Sequence, residues 1–356
     1  MEIPPITEKP VPKINTEQLS LFTQNAMHTT NAGTFELAEA SRALAEKSSQ
    51  QLVAIDMGGD KIVANLFTIQ DGQLRKQPEL DLLLKSRHGE GYLTILEQAA
   101  HFATERAIPV GVSYAGIIQG TRPMSGPNVT TFRHDFSTKY NEDFAQLFPT
   151  LTAVENDAVA GLIAGSVAAY KQNQHVQNVV YVVNGSGIGG AVLKEGTIFT
   201  AEGGHIAVLP SLNIFNQQKK CGVFSTEYTC IEAIAANKAG IENQWYQRTN
   251  EQLSGREIED RYKAGDRFAG ELYDNSAFLL AHMIQGVASA FSIDLAKDSS
   301  AIIGHGGAFR FPKYGDRVQQ ILEHHLGQKP TLILAKDFSE NSCLEGAALA
   351  ALAKAI

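Results

Sequence analysis

Apolar and polar positions change period several times along this chain, and each change predicts an element. The short apolar run LVAID, starting at Leu52, ends in an acid and runs into Met57-Gly58-Gly59. A brief apolar run closed by a glycine turn predicts a buried strand. KIVANLFTI predicts a second strand, the Asp71-Gly72 pair a hairpin turn, and QLRKQPELDLLL a third strand. A helix is expected from about Tyr92 to Ala107. The chain then alternates: PVGVSYA as a strand, a helix around Glu142 to Leu147, LTAVEND as a strand, and a small-residue helix from Ala158 to Tyr170. NVVYVVN opens a second β-rich part that turns through Gly185 to Gly190 into AVLKEG. After an irregular polar stretch the pattern is largely helical, its longest helix expected over Asp266 to Leu295. SAIIGHGG and TLILAK read as the last strands, and CLEGAALAALAKAI as the closing helix.

The first fifty residues differ. About twenty polar, proline-containing residues precede a stretch expected to be helical from Thr16 to Lys47. The predicted organisation is an N-terminal extension over residues 1–50, one domain over 51–160 and a second over 161–356, the final helix returning to the first. FELAEASRALAEK is faintly like the first helix of a helix-turn-helix. Two features count against DNA binding: no second helix follows before Leu52, and Glu36, Glu39 and Glu46 outweigh Arg42 and Lys47.

Composition narrows the class. Of 356 residues 44% are hydrophobic and 19% charged, enough apolar material for a large core. With 30 basic and 38 acidic side chains the formal net charge is −8, which disfavours a phosphate-backbone partner. The three cysteines are too few for a disulfide framework and suit a reducing compartment. The N-terminus has no apolar secretory core, and no uninterrupted apolar run is long enough for a membrane span. A cytoplasmic protein is expected.

Three strand-to-glycine turns carry candidate chemistry: Asp56 to Lys61 with Gly58 and Gly59; Asn184 to Gly190 with Gly185, Ser186 and Gly187; and Gly304, Gly306 and Gly307. Glycine lets backbone amides approach a phosphate without a Cβ in the way. Each could be an ordinary tight turn; together they point to a nucleotide gripped between two domains. Gly185, Gly187 and Gly190 also match G-x-G-x-x-G, but a dinucleotide turn must open a helix, whereas Ala191-Val192-Leu193 continues as a strand. No G-x-x-x-x-G-K-[ST] P-loop is present.

Polar groups gather at predicted strand ends and loops: Asn128, Asn156, Asp157, Glu202, His205 and Glu232. A carboxylate such as Asp157 can take the proton of an attacking sugar hydroxyl. It also fits the N-cap of the helix that follows. Asn128, Glu202, His205 and Glu232 offer the paired donors and acceptors that ring hydroxyls need. His205, Cys221 and Cys230 share one irregular segment and are candidate zinc ligands, although structural zinc takes four; two reduced thiols and a sugar-contacting histidine explain them equally.

In this order the segments resemble the ROK family (repressors, open reading frames and kinases), which includes bacterial glucokinases and N-acetylmannosamine kinases. The resemblance runs from about Leu52 to the C-terminus. Asp56-Met57-Gly58-Gly59-Asp60-Lys61 resembles the family's D-x-G-G-T-K. Glu155-Asn156-Asp157-Ala158 matches E-N-D-A, and Gly185-Ser186-Gly187-Ile188-Gly189-Gly190 resembles G-T-G-I-G-G. Ala201-Glu202-Gly203-Gly204-His205 resembles G-E-x-G-H, Pro127-Asn128 the P-N of the sugar loop, and Gly304, Gly306 and Gly307 the adenosine-side glycines. The zinc stretch C-x-C-G-x-x-G-C-x-E is represented by Cys221-Gly222 and Cys230-Ile231-Glu232. Asp60 stands in place of threonine, Lys219 in place of the first zinc-stretch cysteine, and extra residues separate Cys221 from Cys230.

The resemblance implies an α/β, two-domain actin-like ATPase (ribonuclease H-like) fold with an interdomain cleft. It also implies ATP-dependent phosphorylation of a hexose or N-acetylhexosamine at a primary hydroxyl, O6, with Asp157 as base. ATP and Mg2+ follow as cofactors, zinc through the cysteine stretch, and a homodimer as the assembly. An added carboxylate at residue 60 would repel ATP unless it binds magnesium or turns away. The competing expectation is therefore a sugar-sensing ROK-type protein or transcriptional regulator with little kinase activity.

Overall fold

The computed structural model describes residues 29–86, 89–124, 129–206, 208 and 229–355. Asn128 and Cys221 lie outside the described residues. The expected helix from Thr16 to Lys47 is corrected where it can be seen. Thr29–Thr34 is a strand, β1, and only Leu37–Glu46 is helical, α1. The β-branched threonines and Gly33, at φ +118, suit extended and turned backbone rather than helix.

The chain falls into two units. The first comprises Asn31–Tyr181, Ala191–Thr200 and Ala335–Ile356. Its strands β2 (Gln51–Met57), β3 (Lys61–Gln70) and β4 (Gln73–Lys85) form an antiparallel run as expected. Helix α2 spans Tyr92–Glu105, followed by β5 (Val110–Tyr114) and the short pair β6 (Ile118–Gln119) and β7 (Arg122–Pro123). Helix α3 (Thr130–Tyr140) was not anticipated. Its polar sequence hides an i, i+4 pair, Phe132 and Phe136, which is buried with the rings stacked 4.9 Å apart. The helix expected at Glu142–Leu147 shrinks to one turn, α4, Phe144–Leu147. Next come β8 (Leu151–Asn156) and α5 (Asp157–Gln172).

These strands make a five-stranded sheet in the order β4-β3-β2-β5-β8, with β2, β5 and β8 parallel. Alternation along each strand splits the sheet's faces. Val53, Ile55 and Met57 join Val110, Val112, Tyr114 and Val154 in a core capped by Tyr92, Leu96, Phe132 and Phe136. On the other face, register aligns Asp56 with Ser113 and Ser113 with Glu155 in one row. The closing helix packs against this face. A Cβ on Gly111 would meet Ala347 O at 2.0 Å, and one on Gly346 would meet Ala160 O at 1.7 Å, so helix, sheet and α5 touch backbone to backbone.

The remaining strands are β9 (Asn178–Asn184), β10 (Ile188–Lys194), β11 (Thr197–Ala201), β12 (Ser300–His305) and β13 (Leu332–Leu334). They join β1 in a six-stranded sheet of order β1-β11-β10-β9-β12-β13. β11, antiparallel to β10, was not foreseen; the Glu195-Gly196 turn is a hairpin rather than the end of the β-run. The second unit comprises Val182–Gly190 and Ala201–Leu334. Its helices are α6 (Ile231–Ala235), α7 (Asn243–Thr249), α8 (Gly255–Lys263), α9 (Arg267–Ala290) and α10 (Pro312–Leu326). The chain ends in α11 (Ser342–Lys354). Among the described residues no helix is long and apolar enough to cross a membrane.

Candidate active site

In the first unit the site is built at the C-terminal ends of parallel strands, where an α/β sheet presents polar groups to ligands. Asp56 is the penultimate residue of β2 and 6% exposed. Its Oδ1 accepts from the Ser113 hydroxyl at 3.0 Å and its Oδ2 from the Asn341 side-chain amide at 3.1 Å. Burial pushes the Asp56 carboxyl above the usual range, opposed by the Asn341 bond, the Lys61 ammonium and the Ser113 bond. Gly58 N donates to Lys61 O at 2.9 Å, closing the glycine turn, and Tyr92 Oη donates to Gly58 O at 2.9 Å.

Asp157 is the first residue of α5, not its cap. That role belongs to Asn156, whose Oδ1 accepts from Ala158 N at 2.9 Å and Val159 N at 3.4 Å, while its Nδ2 donates to Gly116 O at 3.1 Å. The expectation of Asp157 as N-cap is corrected on this point. The two side chains are equally long, so position decides: the residue just before the helix is the one that reaches the second and third helical amides. Asp157 Oδ1 also accepts from Ala158 N at 2.9 Å, which aims the carboxylate along the helix N-terminus. Glu155, the first member of the motif, lies in the same row as Asp56 and Ser113, is buried, and pairs with Lys354 at 2.7 Å.

Cys343, in the first turn of α11, feels the charge of both aspartates. Its thiol is pushed up by burial first and then by the carboxylates of Asp56 and Asp157. Tyr181 shares hydrogen bonds with Ser342 and Cys343, and Gly161 leaves room for its phenol, which a Cβ there would meet at 2.2 Å.

The second unit assembles the other candidates. Gly185 N donates to Gly187 O at 2.9 Å within the β9–β10 hairpin, and Gly185 O accepts from Asn237 N at 3.0 Å. Glu232, in the first turn of α6, accepts from Ile188 N through Oε2 at 2.8 Å. A Cβ on Gly187 would lie 2.6 Å from that same oxygen, so only glycine admits the carboxylate. Glu202 leads into the turn Gly203–His205; a Cβ on Gly204 would lie 2.3 Å from Ile188 O. Glu202, Gly203-Gly204-His205, the Gly185–Gly187 turn and Glu232 therefore form one neighbourhood. Gly306, at φ +99, approaches Asn184 so closely that a Cβ would meet its carbonyl oxygen at 2.3 Å, while Gly307 lies beside Asn237. Gly304 is packed on Phe309.

Sequence reasoning missed three organising residues. Asn184 is fully buried, donating to Ala235 O and Tyr314 Oη and accepting from Asn237 N. Ser113 and Asn341 both hold Asp56. A lone serine within the apolar run VGVSY and an asparagine just before a helical run were the available signals.

His205 and Cys230 are both buried, with Nδ1 and Sγ 3.9 Å apart. Among the described residues no group of three or more His, Cys, Asp or Glu is placed to hold a metal. This pair alone falls short of the four ligands of structural zinc.

Parallel strands flanked by helices, carboxylates at strand ends and glycine hairpins define the class as an α/β fold of the actin-like ATPase type. The ROK family model matches residues 52–355, and the chain belongs to the ROK family. It is 26% identical over 308 residues to the N-acetylmannosamine kinase of Shigella flexneri, an alignment covering 84% of this chain and 98% of that protein. It is similar in structure to the ROK family glucokinase of Streptomyces griseus, solved in complex with glucose and AMPPNP, at TM-score 0.61 and 21% identity over 84% of this chain and 98% of that one. The ROK hexokinase of Thermus thermophilus is similar at TM-score 0.60 and 22% identity, over 85% and 97% of the two chains.

Proposed function

We propose that this protein is a sugar kinase that transfers the γ-phosphoryl group of ATP to the primary hydroxyl, O6, of a hexose or N-acetylhexosamine. The observation that carries the reading is the carboxylate of Asp157, held at the first residue of α5 by the Ala158 amide, in a chain matching the family over 52–355. Asp157 accepts the hydroxyl proton as the oxygen attacks. Asn128, Asn156, Glu202, His205 and Glu232 are the proposed sugar-binding set, Asn156 and Glu232 also fixing the backbone around it. Backbone amides of the Gly58-Gly59, Gly185-Ser186-Gly187 and Gly304 to Gly307 turns, with Lys61, receive the phosphates.

The donor set at Asp56 fits Mg2+: each carboxylate oxygen holds one donor and keeps a second acceptor direction. Asp56 would hold the ion through water, and the ion would neutralise charge on the transferring phosphate.

The test is ADP release against glucose, N-acetylmannosamine and a panel of related sugars. Asp157→Asn should lower kcat by roughly a hundredfold to ten-thousandfold with little change in melting temperature. Turnover by the variant equal to that of the wild type would remove Asp157 from the mechanism. Asp60 favours a second reading, a sugar-responsive protein with little kinase activity. Calorimetry showing sugar binding with no ATP affinity, reversed by Asp60→Thr, would select it.

A further inference from the structure

We propose that Asn341 is a positioning residue for the reaction, locking the Asp56 carboxylate in the orientation that receives the metal–phosphate group. The inference rests on the sugar-kinase reading for its catalytic consequence and on geometry for the contact itself.

Asn341 is the N-cap of α11, and its Oδ1 accepts from Leu344 N at 3.3 Å. That bond fixes which end of the amide points where. The Nδ2 is left to donate to Asp56 Oδ2 at 3.1 Å. Ser113, beside Asp56 in the sheet register, donates to the opposite oxygen. Two donors on two oxygens remove the carboxylate's rotation about its last bond. A buried carboxylate without them would have to be neutralised or rehydrated. The same bond ties the first turn of α11 to the end of β2, so one side chain sets both the helix start and the phosphate-side carboxylate. Among the described residues, the charged and titratable groups coupled electrostatically to Asp56 are Lys61 from β3, Tyr92 from α2 and Cys343 from α11.

Asn341→Ser separates the two duties. Serine caps a helix about as well as asparagine, but its hydroxyl, engaged with Leu344 N, no longer reaches Asp56. The expected result is a melting temperature close to the wild type and a kcat/KM for MgATP lowered about tenfold or more. The acidic limb of the pH–rate profile should move to higher pH. Asn341→Asp also keeps a capping oxygen, places a second carboxylate against the first, and should move the limb further in the same direction.

The contact is read independently of activity by carboxyl carbon NMR titration of Asp56, assigned against Asp56→Asn. Its midpoint should rise in both variants. A wild type that releases no ADP with any sugar would sink the kinase reading alone, the titration still deciding the role of Asn341. An unchanged Asp56 midpoint in folded Asn341→Ser and Asn341→Asp would overturn the inference.

Discussion

A helix beginning with Asn156-Asp157 divides two tasks between neighbouring side chains. The amide caps α5 and pins Gly116, while the carboxylate beside it accepts from Ala158 N. Asn156→Ala removes the cap and one further bond, and should lower unfolding free energy by about 1–2 kcal/mol in urea titrations. Asn156→Asp should restore most of the cap but not the donation to Gly116. Equal stability of the alanine variant and the wild type would show that the cap contributes nothing. Asp157 was recognisable as a carboxylate at a strand end. Its exact helix position was not, because Asn and Asp are both good caps and only coordinates choose between them.

At the scale of elements, α11 carries a charge conflict. Burial raises the Glu345 carboxyl to about 6, with Glu340 adding to the rise and Ser339 and Lys171 opposing it. A folded-state pKa above the unfolded value means that the folded form binds the proton more tightly. Its contribution is favourable at low pH and is lost as pH rises from about 4.5 to about 6. Glu345→Gln should therefore stabilise the protein at pH 7–8, by about 1–2 kcal/mol at most, and leave it unchanged at pH 4. Equal melting temperatures for variant and wild type across that range would refute this. Strands were the most legible elements, because a short apolar run ended by glycine has few other readings. β1 and α3 escaped: the first sits in a segment whose neighbours have helical period, and the second buries only Phe132 and Phe136 from a polar sequence.

For the whole molecule, residues outside the family match are part of the fold. Phe35, Leu37, Ala40, Ala43 and Leu44 are buried, Phe35 N donates to Gly196 O at 2.8 Å, and α1 packs on α5 and α11. Burial of Phe35, Leu37 and Leu44 contributes on the order of 5 kcal/mol, an upper value because the unfolded chain is itself partly collapsed. Deletion of residues 1–47 should lower the melting temperature sharply or leave the product insoluble. A truncated chain melting with the full-length one would show this packing to be dispensable.

The sequence alone determined the order of most strands, the glycine turns and the candidate residues at their ends, because hydrophobic period and turn chemistry are local. It also excluded a dinucleotide site, since a strand rather than a helix follows Gly190. Only the tertiary structure decided which residues share a site. Asp56 meets Asn341 across 285 positions and Glu155 meets Lys354 across 199, pairings set by the packing of α11 on the sheet. No local pattern encodes them, because they arise where backbones meet over Gly111 and Gly346, and that contact is a property of the folded chain.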